Sequence, residues 1–449
     1  MNDALQDIAR QVADSAGAGE QVEAYVVRTR ETDVEVFGGE VESLTTAGIE
    51  GIGVRVIVDH RLGYASAGSL DPDVIDETVR EARDNAAFGE PDEYNALVTP
   101  DELRDLTAPD LDLWRENTMP TDEKVRIALE LEAATKAGDS RIRGVEAAGY
   151  GDGSSETAIA NSHGVTSYTR RTTCSAYAVA LADDGTGTQT GYGFTAGRAF
   201  ADLDISSVSR DAVERACRLL GAKPAPGRRI PVVLDPLVTR SLLGVLSSAF
   251  NGESVLKGRS LFAGREGEKV GAPMLTLVDD PTDPRALGAA LYDSEAVPTR
   301  RNELIADGVL QGFLHNVYTG RRARLRSTGS AVRGGYSTTP GVGIRALRLE
   351  PGPRTPEEIM ASVPEALYVQ SVSGLHSGTN PISGDFSVGA EGLMVRGGAF
   401  QEPVREVTIA STLQRMLLDI TEVGSDLTFL PGSAAGVTIL IGEMTMSGA

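Results

Sequence analysis

The sequence predicts an α+β protein, with an α/β amino-terminal half that includes a β-meander and a β-rich carboxyl-terminal half with a few helices. Three observations predict this. Helical and extended patterns alternate as far as Ala222, period-2 alternation with turn residues runs from Gly144 to Asp184, and glycine-punctuated extended segments dominate beyond Lys223. At 449 residues the chain exceeds one ordinary hydrophobic core, so several domains are expected, divided as 1–110, 111–222 and 228–449.

The amino terminus spaces Leu5, Ile8, Ala9 and Val12 as one face of a helix, and it carries acids where a secretory leader would carry basic residues. "EAYVVRTRETDVEVFGGEVESLTTAG" offers two extended runs, and "EGIGVRVIVDHRLGYASAG" reads as a hairpin turning at Asp59 and His60. "DPDVIDETVREARDNAAF" is a helix started by Asp-Pro, and "TDEKVRIALELEAATKAG" a second one capped by Thr121 or Asp122. The meander follows, and the helix "VSRDAVERACRLLGA" closes the first half. "KPAPGRR" is the linker, since its prolines and glycine cannot continue that helix. Beyond it come a strand, "IPVVLDP", and a helix, "LVTRSLLGVLSSAFNGE", with Val238, Leu242, Leu243, Leu246 and Phe250 as its apolar stripe. Near the end, "VTIASTLQRMLLDITEVGSD" sets Ile409, Leu413, Met416, Leu417, Ile420 and Val423 at helical spacing, and "GVTILIGEMTM" is a final strand.

No apolar run approaches the ~18 residues of a membrane helix, so a cytoplasmic protein without membrane contact is expected. The formal charge of −22 argues against nucleic acid, whose backbone is bound by neutralising its phosphates. Cys174 and Cys217 suggest buried thiols; two separated cysteines make neither a disulfide framework nor a cysteine-rich metal site.

The search for chemistry excludes more than it finds. The four histidines, His60, His163, His315 and His376, are followed by Arg, Gly, Asn and Ser, so no His-Glu pair exists to open a zinc-binding helix. There is no Gly-x-Ser-x-Gly elbow. Ser254 and Lys257 have the Ser-x-x-Lys spacing of some acyl-transfer enzymes but lack its accompanying signatures. Asp279 with Asp280, and Asp293 with Glu295, are candidate acid/base pairs, for which solvated surface acids are the simpler reading. "GIEGIGVRV" lacks the strand, glycine and helix order of a dinucleotide site and reads as strand-entry and turn glycines.

Several collinear stretches resemble the TldD/PmbA family, and within it the PmbA branch, also called TldE. They are "VESLTTAG" with "GIGVRVIVDHRLGYAS", "NSHGVTSYTRRTT", "YDSEAVPTRRNELIADGVLQGFLHNVYTGRRARLRSTG", and "GLHSGTNPISGDFSVGAEG" followed by "PVREVTIASTL". The resemblance implies a barrel-like carboxyl-terminal domain and a two-subunit protease. In that protease the TldD subunit binds zinc through a His-Glu-x-x-x-His helix and a late cysteine. It places Gly244 and Val245 near the His-Glu position and Ala249 near the second histidine, and no cysteine follows Cys217. The implied function is a non-catalytic subunit of a TldD-type metalloprotease complex that trims peptides and small unfolded proteins. Such a subunit has no cofactor of its own, and zinc sits in the partner. Gly374, His376, Ser377, Asn380, Gly384, Asp385 and Ser387 are the candidate peptide contacts, within a segment whose simpler reading is turns followed by a short strand. The alternative is an autonomous peptide-binding or regulatory protein, gyrase-modulator-like and homodimeric. An independent peptidase using Ser254 with Lys257, or His376 with Ser377, is the third reading.

Overall fold

The computed structural model describes residues 3–185 and 187–448. In the first half, α1 (Asp3–Asp14) precedes β1 (Glu20–Phe37), β2 (Glu40–Val58) and β3 (Arg61–Ala67), followed by α2 (Pro72–Phe88), the short α3 (Pro100–Leu103) and α4 (Thr121–Ala137). Then come β4 (Ile142–Asn161), β5 (Thr166–Asp183), β6 (Thr188–Gly197) and α5 (Ile205–Arg218). The six strands form one antiparallel sheet in the order β3-β2-β1-β4-β5-β6, so segments on both sides of residue 110 share a sheet.

Turn chemistry fixes its register. Gly38 and Gly39 at φ 66° and 84° close the first hairpin, and Asp59 and His60 at 48° and 63° close the second, the left-handed pair a two-residue hairpin requires. One face is apolar: Val22, Ala24 and Val26 of β1 with Ile52, Val54 and Val56 of β2 receive α1 and α2. Ala176, Ala178 and Ala180 of β5 receive α4 and α5. Small residues there let the helices sit close. A Cβ at Gly191 would lie 2.0 Å from the Ala212 carbonyl oxygen of α5. The opposite face is polar and turns toward the second half.

That half runs β7 (Arg228–Leu234), α6 (Pro236–Leu246), α7 (Gly252–Leu256), β8 (Leu277–Asp279), β9 (Asn302–Ala306), β10 (Val309–Leu310) and α8 (Val317–Arg322). It continues through β11 (Ala331–Val332), β12 (Gly341–Val342), β13 (Leu347–Leu349), α9 (Pro356–Ala361), β14 (Glu365–Ser373) and α10 (Leu375–Gly378). It ends with β15 (Asp385–Arg396), β16 (Ala399–Thr412), α11 (Leu413–Asp419), β17 (Ile420–Val423) and β18 (Ile439–Ser447). Strands β16-β15-β14-β7-β18 close on themselves through a β16–β18 pairing, giving a five-stranded barrel. Val232, Leu367, Val388, Ile409 and Ile441 share its core with Leu242, Leu243 and Leu246 of α6. Each such fully buried aliphatic side chain contributes about 1.5–3 kcal/mol.

Three local expectations change. The helix expected around 407–426 is strand, helix, strand: Ile409 lies in β16, only Leu413–Asp419 is helical, and Ile420 and Val423 lie in β17. The six apolar residues face one core in either geometry, so spacing alone did not separate them. The helix after β7 stops at Leu246 and tightens to a 3₁₀ turn over Ser247–Phe250. The N-cap of α4 is Pro120, with Thr121 already helical. No described helix is long and apolar enough to cross a membrane.

Candidate functional site

The helix that the resemblance aligns with a zinc helix is α6. Asp235 caps it by accepting from the Leu237 N–H at 2.9 Å. Val238, Leu242, Leu243 and Leu246 bury its inner face. Gly244 points to open space, Val245 is half-buried against the core, and Ala249 is buried. None of the three offers a metal donor, and no group of three or more His, Cys, Asp or Glu among the described residues is placed to hold a metal ion.

The histidines are dispersed. His60 is in the second hairpin turn, and His163 lies 3.2 Å from Gln21 Oε1. His315 is buried against Gly252 and Thr319, where burial lowers its pKa. His376 is exposed on α10. Ser254 and Lys257 do not form a dyad, because the Lys257 ammonium pairs with Glu253. Cys174 and Cys217 are buried free thiols, and burial pushes Cys174 up to about 12.

The glycine-rich stretch is a self-satisfied turn. Gly374 takes φ 74° to start α10, and Asn380 Oδ1 accepts from the Ile382 and Ser383 N–H groups at 2.9 and 3.2 Å. Gly384, at φ 86°, leaves no space for a Cβ beside Gln414. His376, Ser377, Asn380, Asp385 and Ser387 are exposed, whereas Phe386 and Val388 enter the barrel core. β15 is paired with β14 on one side and β16 on the other, so a peptide cannot be added to it as a further strand.

A different site lies where the polar face of the sheet meets the second half. Its floor is an ion cluster. Arg55 Nη2 is 2.6 Å from Glu23 Oε2 and Arg55 Nη1 is 3.1 Å from Glu295 Oε1, while Arg333 also pairs with Glu23 and stacks 4.7 Å over Tyr25. Burial by itself would raise the Glu23 carboxyl, but the charges of Arg55 and Arg333 hold it below the usual range. Asp293 accepts N–H groups from Glu295, Val297 and Ala331 at 2.8–3.0 Å, yet burial and then the Glu295 charge raise it. Asp279, fully buried, is pushed up to about 6 by burial, against two backbone donors. The carboxylates read from sequence as solvated are therefore interior groups. Asp279, Asp280, Asp293 and Glu295 are all buried.

Above the floor is a cavity of about 490 Å³. Ser155, Thr157, Ser167, Thr169 and Arg171 line it from β4 and β5, and Tyr292, Asp293 and Arg345 from the second half. Cross-strand register sets the first group: Ser155 opposes Arg171 and Thr157 opposes Thr169. A loop carrying Tyr336 crosses β2, which explains Gly51 and Gly53 of "GIEGIGVRV". They are mid-strand, and a Cβ at Gly53 would lie 2.3 Å from the Tyr336 carbonyl oxygen. Sequence reasoning missed this chamber because its residues come from distant segments. The available signal was the arginine-rich pairing of "SYTRRTT" with "AVRGGYS".

Family models match the chain in three consecutive parts: PmbA/TldA metallopeptidase domain 1 over residues 22–86, the central domain over 114–220, and the C-terminal domain over 226–448. A sheet layer closed over a five-stranded barrel, with a polar chamber between them, is thus a metallopeptidase-family architecture. The chain is 30% identical over 435 residues to the metalloprotease PmbA of Escherichia coli O157:H7, covering 97% of this chain and 94% of that one. It is 28% identical to a PmbA homolog of Haemophilus influenzae, covering 96% and 93%. A crystal structure from Thermotoga maritima MSB8, described as a proposed modulator of a DNA gyrase, superposes with a TM-score of 0.89 at 25% identity over 99% of both chains. TldE from Thermococcus kodakarensis shares the fold with a TM-score of 0.86 at 24% identity, again over 99% of both. The chain belongs to the PmbA/TldD metallopeptidase family, on its PmbA/TldE side.

Proposed function

We propose that this chain is the non-catalytic subunit of a two-subunit peptidase. It pairs with a TldD-like relative that holds zinc and cleaves peptides and small unfolded proteins, while this chain supplies chamber walls and peptide contacts. The observation that carries the reading is α6. In a metallopeptidase-family chain, the resemblance places Gly244 and Val245 near the His-Glu position and Ala249 near the second histidine, and none of the three has a donor side chain. A second feature supports a partner. β2 pairs with β3 only over Ile52–Val58, so the outer edge of Glu40–Gly51 is free of β3, and Val41, Leu44 and Ile49 on it are 42–52% exposed. An unpaired edge with exposed apolar side chains is a template on which another chain can pair.

Co-expression with a His-Glu-x-x-x-His relative, followed by light scattering, metal analysis and a peptide cleavage assay, tests the proposal. One complex with zinc confined to the relative is expected. Stoichiometric zinc and cleavage by this chain alone would overturn it.

A further inference from the structure

The chain carries a net charge of −22, yet the cavity between its halves is lined by Arg170, Arg171, Arg333 and Arg345 against a single acid, Asp293. The charges on the floor balance: Arg55 and Arg333 against Glu23 and Glu295. Those above do not. Among the described residues, the Arg171 side chain makes no hydrogen bond and no ion pair, and its surface is open to the cavity that it lines. Arg345 donates through Nη2 to the Ala331 carbonyl at 2.8 Å and to Ser294 Oγ at 3.3 Å, but its Nε is buried without a partner and no carboxylate lies within ion-pairing distance. Burial and then the like charge of Arg345 lower the pKa of Arg171. Burial and then Arg171 push Arg198, behind the same wall, down to about 10. Like charges held together in a water-filled space are costly unless an anion joins them.

The surroundings define that anion. Arg171 is opposed by Ser155 on β4, and Ser167 and Thr169 add hydroxyls from β5, so an oxyanion there meets both charged and neutral donors. Along the same sheet face, Gly153 pairs with Thr173 and with Glu31, placing the acids Glu31 and Asp33 two strands over and one step along. Strand geometry puts Glu31 about 12 Å from Arg171. A polyanion long enough to reach from one to the other would meet repulsion, whereas a ligand with a single anionic end would not. The cavity volume of about 490 Å³ suits a segment of a few residues.

We infer that Arg171 and Arg345 form a binding site for the C-terminal carboxylate of a short peptide, seated on the hydroxyl-lined face of β4 and β5. The inference rests on the proposed role in peptide handling and extends it to the end of the peptide that this chain recognises.

The test uses the full chain without a partner and three probes, measured by calorimetry: tetra-alanine with a free carboxylate, the same peptide as its C-terminal amide, and inorganic phosphate. The free acid is expected to bind about ten- to a hundredfold more tightly than the amide. That difference should disappear in Arg171→Gln and be partly restored in Arg171→Lys, with unchanged melting temperatures as the check on folding. Arg345→Gln should behave like Arg171→Gln. Equal binding of acid and amide, no binding of either, or Arg171-dependent binding of phosphate alone would each overturn the inference. Because the measurement needs neither partner nor cleavage, a chain that assembles into an active complex but does not discriminate acid from amide loses only this inference. One that discriminates but does not assemble loses only the proposed function.

Discussion

The ion cluster under the chamber gives the sharpest stability prediction. Glu23 is 1% exposed and accepts from Arg55 Nε at 2.8 Å and Nη2 at 2.6 Å, as well as from Arg333. In Glu23→Gln the shape is retained while one of two carboxylates facing two guanidinium groups is removed. Removing one partner of a buried pair costs about 3–5 kcal/mol, because the remaining charge is left without compensation. Arg55 would keep Glu295 at 3.1 Å, and Arg333 would keep the Ser294 carbonyl at 3.2 Å and the Tyr25 ring, so the loss should lie near 3 kcal/mol. Against a typical total of about 5–15 kcal/mol, that is a large fraction. Urea unfolding followed by the fluorescence of Trp114, the sole tryptophan, reads it as a shifted midpoint at unchanged slope. The double variant Glu23→Gln/Arg333→Gln should be more stable than Glu23→Gln alone, since it removes the charge left over. A loss below about 1 kcal/mol, or a double variant as unstable as the sum of its parts, would refute uncompensated charge as the cause.

Three further outcomes follow from the same geometry. Asp279 is raised to about 6 in the folded chain, above its unfolded value, so its contribution is full at low pH and is lost as pH rises from about 4 to 6, at about 1.4 kcal/mol per unit. Stability against pH for Asp279→Asn should lack that decline because an amide does not titrate, and its oxygen keeps an acceptor for the Arg345 and Ala346 N–H groups. Gly53→Ala places a methyl group against Tyr64 and Tyr336 and should cost about 1–3 kcal/mol in thermal or urea unfolding. Ser254→Ala and His376→Ala should leave peptide cleavage by the reconstituted complex within twofold, since the first serine has no lysine partner and His376 is solvent-facing.

The sequence made the sheet legible because its signals are local. The Asp59-His60 hairpin, the Asp-Pro start of α2 and the alternation of Phe386 with Val388 each depend on a few neighbouring residues, and each is found in the structure. The carboxyl-terminal helix was misread because Ile409 and Leu413 are four apart whether one helix carries both or a strand hands over to a helix. The chamber was invisible for a different reason. Arg171 and Arg345 come from different domains, the central and the C-terminal, and the buried acids look like surface acids until the fold encloses them. Within "GLHSGTNPISGDFSVGAEG", the turns and strand were readable. Its exposure, and the closure of both edges of β15, became visible only with the barrel.

The packing of α6 bears directly on the proposal that Gly244, Val245 and Ala249 stand where a zinc-binding relative has its ligands. The helix is held by Val238, Leu242, Leu243 and Leu246, which point into the barrel core, while Gly244 lies on the other face in open space. Gly244 and Ala249 are therefore not equivalent in packing. Histidine at Gly244 has room and replaces a poor helix former, so Gly244→His should change stability by no more than about 1 kcal/mol. Ala249 is 1% exposed beside Leu246 and Phe250, and Ala249→His would force an imidazole into filled volume with its ring nitrogens unpaired. That should cost about 1–3 kcal/mol for overpacking, and more for the unpaired polar atoms. Urea midpoints of the two variants measure the asymmetry directly. Equal effects would mean that the 3₁₀ turn at Ser247–Phe250 rearranges freely. The predicted asymmetry would mean that the core has packed over one ligand position, so donors alone do not rebuild a zinc helix here.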